Sequence, residues 1–367
     1  MPGASWHLFK KDPESVMNQR PPPPPSAEKQ IEFLQNIQRL LAEGQFTATY
    51  KFALLHALAD ICVERGCEDG NPLEIHTREI AEKFIHLYWR QAKPFASAPA
   101  IPGILRQNFG GPTAVLRRIE EELEHHHSLA RLQQDQRRYK QLVTAVNNTV
   151  KQQPLWKLQT VGSERFDYLY TNTGTGSKIE LKPGIGYCFA SYHSLVTDLA
   201  RGGWLRYIRR HNTELLGYAT DLEYFLFGTG RSNLEAYVPL LMELQHGRCF
   251  YCGVSRHRPE EVDHFIPWAR YPMDLGHNFV LAHKTCNGAK SDHLAAESHL
   301  EHWLQLQEDH GLKMAGYFDA EGLAHNLNAT RHVAAWAYRQ TAEAGGQVWQ
   351  AKQDFRSLTG QWTQLLA

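Results

Sequence analysis

Most of the chain carries apolar residues at helical spacing, with polar residues between them. Ser26 precedes the first such run, as a helix N-cap does, and Gly66 follows the second, as a C-terminal glycine does. The pattern predicts helices at residues 26–41, 52–62, 74–91 and 113–150. A helical region over residues 26–152 is therefore expected, with Glu124–His127 in the middle of its last helix.

Five consecutive prolines at 21–25 precede this region. Because proline fixes φ and lacks an amide hydrogen, the run favours a stiff polyproline II spacer. Residues 1–25 are accordingly interpreted as an N-terminal arm joined to the body by that spacer.

The pattern changes within residues 153–240. Two strand-like runs, FDYLYT at 166–171 and KIELKPG at 178–184, flank the glycine-rich segment NTGTGS. They predict a small β-hairpin, since the glycines lack the spacing of a phosphate-binding loop and do not precede a helix.

A basic amphipathic helix follows in SLVTDLARGGWLRYIRRHN. Its apolar stripe comprises Val196, Leu199, Ala200, Gly203, Trp204, Tyr207 and Ile208. Arg206, Arg209 and Arg210 gather on another face, which is either solvated or a ridge that binds nucleic-acid phosphates. Beyond residue 300 the helical pattern returns through 301–367.

Two pairs of metal-ligand residues stand thirty residues apart. Cys249 and Cys252 form a CxxC pair, and His283 and Cys286 repeat its spacing. Three thiolates and one imidazole form a closed tetrahedral set suited to a structural Zn²⁺. Such a set could also belong to a zinc ribbon or knuckle without catalysis.

Polar residues suited to phosphodiester chemistry lie between and just after these pairs. They are Asp263, His264, Asn278, Asn287 and Lys290. Carboxylate and amide oxygens are ligands that Mg²⁺ accepts, and an imidazole titrates near neutrality, as a general base must.

At these residues the chain resembles the HNH endonuclease family, whose pattern runs CxxC, DHxxP and NxxxLCxxCNxxK. The matching runs are Cys249–Cys252, Asp263–Pro267, Asn278–Leu281 and Cys286–Lys290. Two positions depart from it: His283 stands where the family most often has cysteine, and Asn287 stands at the last histidine of the family name. The flanking sequences are also similar to bacterial HNH proteins of similar length, some of which act in phage defence, such as the nuclease subunits of type II Zorya systems.

The resemblance implies a zinc-bound ββα-metal nuclease unit within residues 241–300, inserted between helical regions. In that family frame His264 would be the general base, while Asp263 and Asn287 would hold a catalytic Mg²⁺ or Mn²⁺. Asn278 would hydrogen-bond the loop or the ring so that His264 presents the correct nitrogen, and Lys290 would contact a flanking phosphate.

Neighbouring residues of a regular strand face opposite sides, which separates Asp263 from His264. Both side chains can reach one phosphate only where the strand ends. Pro267 is consistent with such an ending, because proline cannot donate to a sheet ladder.

Composition limits the class of protein. The 367 residues are 42% hydrophobic, and no apolar run reaches the length of about 18 residues that a membrane span needs. No membrane span is therefore expected. The first residues lack the apolar segment of a secretion signal. Cys62, Cys67 and Cys188 remain after the zinc ligands, without a disulfide framework, which favours a reducing bacterial cytoplasm.

The charge balance is unusual for a nucleic-acid enzyme. Lysine plus arginine and aspartate plus glutamate both number 39, which leaves no net charge. A free-standing DNA-binding protein is usually more basic. Positive charge is therefore concentrated locally, or a partner protein delivers the chain to DNA, or the resting chain keeps its site closed.

The sequence thus predicts an α+β, predominantly helical protein that is a metal-dependent HNH endonuclease without a small-molecule cofactor. DNA is the expected substrate, nicked one strand at a time, and the partners would be proteins of a defence system. Two alternatives remain: a zinc-stabilised nucleic-acid-binding or adaptor protein without catalysis, and an RNA nuclease. The helical region 26–152 is expected to regulate or recruit.

Overall fold

The computed structural model describes residues 21–44, 46–95, 103–109, 113–171, 176–216, 221–228, 234–255, 259 and 261–366. Helices make up 58% of the described residues. The helices are α1 (Ala27–Glu43), α2 (Tyr50–Glu64), α3 (Thr77–Trp89), α4 (Ala114–Leu123), α5 (Leu129–Gln134), α6 (Gln136–Gln152), α7 (Pro154–Lys157), α8 (Ile185–Ser191), α9 (His193–His211), α10 (Thr213–Leu216), α11 (Leu222–Phe227), α12 (Val238–Leu244), α13 (Lys284–Lys290), α14 (Glu297–Glu321), α15 (Leu327–Glu343) and α16 (Gln361–Leu365).

In the described part of the chain, four two-stranded antiparallel sheets accompany the helices. The strands are β1 (Leu73–His76), β2 (Thr160–Val161), β3 (Glu164–Arg165), β4 (Lys178–Leu181), β5 (Glu261–His264), β6 (Phe279–Ala282), β7 (Gln347–Ala351) and β8 (Asp354–Ser357). They pair as β1 with β4, β2 with β3, β5 with β6 and β7 with β8. The prediction of a mostly helical protein with small sheets is confirmed.

The first two predicted helices are confirmed. The Ser26 side chain accepts a hydrogen bond from the Lys29 amide at the start of α1. Gly66 follows α2 with φ of +64°, a left-handed conformation that glycine adopts without steric cost. The predicted N-terminal arm, apart from prolines 21–25, lies outside the described residues.

The predicted hairpin around NTGTGS is wrong in its main pairing. Strand β4 pairs with β1, more than 100 residues earlier. Among the described residues, the two predicted strands meet at a Tyr170–Leu181 bridge and a hydrogen bond from the Lys182 amide to the Leu169 carbonyl. Residues 172–175 of the predicted turn lie outside the described part. The same pairing shortens the helix predicted over 74–91, because α3 begins only at Thr77. A four-residue strand offers too short a pattern to distinguish from a helix start.

Two other helical predictions need correction. The helix predicted over 113–150 is three helices, and Glu124–His127 lies at the break between α4 and α5. The helical C-terminal region also contains the β7–β8 hairpin. In the basic helix α9, Leu199 is exposed, while the rest of the predicted apolar stripe is buried. The predicted domain boundaries stay predictions.

Helix α2 is buried on every side. All residues from Tyr50 to Val63 are buried, and helices α3, α8, α9 and α15 pack around them. A helix that is apolar all round belongs in a core rather than on a surface. Three polar side chains are buried with it: Lys51, His56 and Asp60.

The buried carboxylate of Asp60 joins α2 to α9. It accepts hydrogen bonds from His56 Nδ1 at 3.2 Å and from His193 Nε2 at 2.8 Å. Arg201 Nε donates to His56 Nε2 at 3.0 Å, so that nitrogen carries the lone pair and Nδ1 carries the hydrogen. Although burial alone would raise the pKa of Asp60, these histidines hold it well below its ordinary value.

The C-terminal helix α15 returns to the N-terminal core. His332 Nδ1 donates to the carbonyl of Glu64 at the end of α2, and Trp336 Nε1 donates to the carbonyl of Ala190 in α8, both at 2.8 Å. The segment between α9 and α15 is therefore anchored to this core at both of its ends. No helix in the described part of the chain is long and apolar enough to cross a membrane.

Gly203→Ala should destabilise the α2–α9 contact. A Cβ at Gly203 would lie 2.4 Å from the Phe52 ring, which is itself stacked on Phe46. Overpacking of this kind costs about 1–3 kcal/mol, against up to about 1 kcal/mol gained from the better helix propensity of alanine. We expect a lower free energy of unfolding in urea.

Gly202→Ala is the matched control. Its Cβ would meet only the flexible end of Arg206, at 3.4 Å. We expect unchanged or slightly higher stability, and equal loss in both variants would contradict the close α2–α9 approach at Gly203.

Candidate metal centre and functional site

The predicted site residues lie on a two-stranded hairpin followed by a helix. Strands β5 and β6 pair with Glu261 opposite Ala282 and His264 opposite Phe279, and α13 begins two residues after β6. All four residues of β6 are buried, so the hairpin is held by its own apolar strand. The residues between β5 and β6 are hereafter called the β5–β6 loop (265–278).

The four predicted zinc ligands come together. The ligand atoms of Cys249, Cys252, His283 and Cys286 all lie within 4.8 Å of one another. Cys252 Sγ is 3.3 Å from His283 Nδ1, and the His283 amide donates to Cys249 Sγ, also at 3.3 Å. The turn after α12 thus supplies one pair, and the junction of β6 with α13 supplies the other.

The chemistry of this set fits a divalent cation. Desolvation, and then the neighbouring thiols of Cys249 and Cys252, raise the pKa of Cys286 to about 12. Without a cation, clustered thiolates repel one another, which favours the protonated thiols. The charge of a bound metal ion offsets that repulsion, so its sulfur ligands lose their protons. The Cys3His group could therefore bind a metal ion such as zinc, in the closed geometry of a structural site.

His264 is oriented by a carboxylate from the β5–β6 loop. Its Nε2 donates to Asp274 Oδ1 at 2.9 Å. The ring also packs edge-on against Phe279 and Trp268, at centroid distances of 4.7 and 5.0 Å. Both members of the pair keep partial solvent contact, with side-chain exposures of 15% for His264 and 20% for Asp274. The imidazole is thus fixed in orientation but reachable.

Asp263 faces the other side of β5 and is held in a buried ion pair. Lys290 Nζ lies 3.0 Å from Asp263 Oδ2, and the Tyr251 hydroxyl donates to the same oxygen at 2.5 Å. The Lys290 side chain has no solvent exposure. In this arrangement its ammonium lies in the core and not at the surface, so the contact with a flanking phosphate stays a prediction.

Lys290 links the two residues of the Asp-His dipeptide. Its Nζ also donates to the carbonyl of His264 at 2.9 Å. One buried ammonium therefore fixes the Asp263 side chain and the His264 main chain to α13. The two side chains point to opposite faces, as strand alternation requires.

Asn278 clamps the β5–β6 loop. Its side-chain Oδ1 accepts from the Ile266 amide at 2.8 Å, and its Nδ2 donates to the Ile266 carbonyl at 3.0 Å. The Phe265 amide also donates to the Asn278 main-chain carbonyl, at 2.7 Å. Asn278 thus bonds the loop that follows His264 rather than the ring itself.

Asn287 lies on α13 near the start of β5. Its Nδ2 donates to Glu261 Oε2 at 2.8 Å. The described hydrogen bonds thus tie Asn287 to Glu261, and Asp263 to Lys290 and Tyr251. Asp263 and Asn287, the predicted magnesium ligands, are therefore both bonded to other side chains, and Asp263 does not present an open carboxylate to an ion.

The β5–β6 loop also contacts the N-terminal helical region. The Tyr271 hydroxyl donates to Glu64 Oε1 at 2.8 Å, and the same oxygen lies 2.6 Å from Lys83 Nζ. Tyr271 and Trp336 both lie beside the His193 ring. The loop that carries Asp274 is thereby supported by helices far from it in sequence.

His86 on α3 is close enough to this loop for the Asp274 carboxylate to act on its imidazole. The residue is solvent-exposed, yet desolvation and the Lys83 ammonium lower the pKa of its imidazole. The carboxylates of Asp60, Asp274 and Glu64 act against that change.

The three arginines predicted to bind nucleic acid lie on α9, away from the hairpin in sequence. Arg206, Arg209 and Arg210 are all exposed. Arg206 and Arg210 line a recess, and Arg209 is not among the residues that line it.

Sequence analysis missed three residues of the site: Tyr251, Glu261 and Asp274. Tyr251 stands inside the CxxC pair, and Glu261 stands two positions before Asp263 on the same strand face, so spacing could have identified Glu261. Asp274 lies in an irregular loop, where no periodicity signals its contact with His264.

Comparison with known proteins identifies the helical half of the chain. The model of a family described as a domain of unknown function (DUF8808) matches residues 30–215. The chain belongs to this family. No curated protein and no solved structure matches the chain. The DUF8808 region includes α2, α3 and α9 and ends before the first metal-ligand residue, Cys249.

Metal analysis should find one zinc ion per chain. Cys286→Ser should lower zinc content and stability, because a structural site with one thiolate removed binds far less tightly. Elemental analysis of protein purified with and without a chelator measures this. Cys188→Ala, which removes a thiol outside the cluster, should keep its zinc, and full zinc content in Cys286→Ser would exclude the site.

Lys290→Met should lower the free energy of unfolding by about 3–5 kcal/mol, because it leaves the buried Asp263 carboxylate without its counter-ion. Urea denaturation of the zinc-loaded protein measures the effect. Lys284→Met, an exposed lysine on the same helix, should change stability by less than about 0.5 kcal/mol.

The double variant Lys290→Met with Asp263→Asn tests the cause. Removing both charges should recover much of the lost stability, since no unpaired charge remains. A double variant no more stable than Lys290→Met would mean that the loss arises from packing.

Proposed function

We propose that the protein is a metal-dependent endonuclease of the HNH type that hydrolyses phosphodiester bonds. The observation that carries this proposal is the His264–Asp274 pair at the end of β5, on a hairpin joined to the Cys3His group. An oriented, partly exposed imidazole beside a rigid metal-stabilised unit is what a water-activating base needs.

His264 has the geometry of a general base. A carboxylate only accepts hydrogen bonds, so Asp274 requires the hydrogen on Nε2 and leaves Nδ1 of the neutral ring with its lone pair. In the proposed reaction Nδ1 takes a proton from the attacking water while the water oxygen bonds to phosphorus and the bond to the leaving oxygen breaks. Asp274 and the Asn278 clamp keep the ring in place, as positioning residues.

The proposal includes a catalytic Mg²⁺ or Mn²⁺, which when bound supplies Lewis-acid stabilisation of the charge on phosphate oxygens. The residues predicted to hold it, Asp263 and Asn287, do not fit the ion as they stand. Asp263 is already neutralised by Lys290, and the Asn287 amide is bonded to Glu261. The arrangement matches the idea of a resting chain that keeps its site closed.

The substrate we propose is DNA, cleaved one strand per event because one such site contacts one scissile phosphate. The flanking resemblance to bacterial defence nucleases supports a role against phage or other foreign DNA, with partner proteins delivering the chain. The absence of net charge also supports a delivered or gated enzyme.

A second candidate is a zinc-stabilised binding or adaptor protein without catalysis. The observation that favours it is the same buried Asp263–Lys290 pair, which removes a metal-binding carboxylate from solvent. A His264→Ala variant that loses cleavage but still binds nucleic acid would favour the nuclease over the adaptor.

Supercoiled plasmid incubated with purified protein and Mg²⁺ or Mn²⁺ should become nicked. His264→Ala should lower the nicking rate by about 10²–10⁴-fold, the usual contribution of a general base. His310→Ala on α14 is the control and should nick at the unchanged rate. Equal nicking by His264→Ala would exclude this mechanism, and linear product without a nicked intermediate would exclude single-strand cleavage. Parallel reactions with single-stranded DNA and RNA identify the substrate.

Asp274→Asn tests the orienting pair. It should lower kcat by less than His264→Ala does, with the substrate Kd unchanged, because the asparagine amide can present the wrong hydrogen-bonding group to Nε2. Asp274→Glu should restore part of the rate. An Asp274→Asn enzyme with unchanged kcat would show that the pair is only structural.

A further inference from the structure

A recess of about 500 Å³ opens on the DUF8808 region beside the C-terminal half of α9. Its aromatic and basic lining residues are Phe46, Phe109, Arg206, Tyr207, Arg210 and His211. All lie within residues 30–215, so the recess belongs to the helical half and not to the hairpin.

Stacked rings form one side of the recess. The Tyr207 and His211 rings lie 4.1 Å apart and nearly parallel, and Phe109 packs edge-on to His211 at 5.1 Å. His211 Nδ1 donates to the Tyr207 carbonyl, which fixes the imidazole plane. Phe109 is 69% exposed, so a large ring face is open to solvent. An open ring beside a fixed stack is a platform for another planar group.

Positive charge lies along the same helix face. Arg206 and Arg210 are one turn apart, as are Tyr207 and His211, so a basic row runs beside an aromatic row. Both arginines are exposed, and among the described residues neither lies within 4 Å of a carboxylate. Unpaired guanidinium groups beside an open aromatic ring are suited to phosphate and base together.

We propose that this recess binds a single-stranded nucleic-acid segment, with an unpaired base stacked on Phe109 and its flanking phosphates on Arg206 and Arg210. The volume suits a base with its sugar. A duplex fits less well, because its paired bases are stacked on one another and have no free face for the Phe109 ring. This site goes beyond the proposed cleavage, and binding to it can be measured when cleavage is absent.

A strand fits the recess better than a protein segment does. The exposed groups that line it are cationic as well as aromatic, which matches a polyanion whose bases have π faces. A strand carries several phosphates, so each arginine can bind one of them. A mononucleotide has one phosphate group for both arginines.

Fluorescence anisotropy with a labelled single-stranded oligonucleotide tests the proposal. The full chain carrying His264→Ala serves as the parent protein, so failure of the cleavage proposal does not affect the result. Single-stranded oligonucleotide should bind more tightly than a duplex of the same sequence. Phe109→Leu should weaken binding roughly five- to hundredfold, and Phe109→Tyr should retain it, because stacking requires a ring.

Arg210→Gln and Arg209→Gln form the matched pair for charge. Both remove one positive charge from the same helix, but only Arg210 lines the recess. Arg210→Gln should raise Kd more and should reduce its salt dependence. Equal effects of the two variants, or unchanged affinity in Phe109→Leu, would overturn the site.

Two further outcomes would overturn the proposal. Free mononucleotide that displaces the oligonucleotide at equal concentration would make the ligand a nucleotide instead of a strand. Absence of oligonucleotide binding at low salt, with Phe109→Leu as soluble and stable as the parent, would leave the recess to a protein partner.

Discussion

The burial of α2 is the constraint on which the rest of the structure depends. This helix is enclosed by α3, α8, α9 and α15, so no single neighbour can cover it, and the chain must return to it from both halves. Its buried polar groups make those returns specific. Asp60 accepts from His193 on α9, and the carbonyl of Glu64 accepts from His332 on α15. Buried polar groups without such partners would cost more than most single contacts contribute.

That constraint also positions the candidate catalytic unit. The β5–β6 loop rests on the end of α2 through the Tyr271–Glu64 hydrogen bond, and the same loop carries Asp274, the partner of His264. A shift of α2 or α3 would therefore move the loop that orients the imidazole. The helical half of the chain thus supports the loop of the proposed site directly, while a regulatory or recruiting role for it stays a prediction.

Positive charge is buried in the Asp263–Lys290 pair and exposed in the arginines of α9. In the hairpin unit the Lys290 ammonium is not available to a polyanion, since it is enclosed against Asp263 and the His264 carbonyl. Exposed arginines without a carboxylate within 4 Å among the described residues lie instead on the DUF8808 region, beside an aromatic recess. A chain with no net charge can in this way hold a local surface for a polyanion. Under the two proposals, strand binding and phosphodiester hydrolysis would belong to different halves of the chain.

The sequence by itself determined the features that depend on short spacing. It predicted α1 from Ser26, the end of α2 at Gly66 and the Cys3His group, because caps, periodicity and ligand spacing are local properties. Only the tertiary structure decided which distant segments meet. It paired β4 with β1, enclosed Lys290, brought Asp274 to His264 and set Phe109 beside His211. These contacts join residues from separate elements or irregular loops, and their energies come from burial and charge neutralisation in the assembled core, which no local pattern encodes.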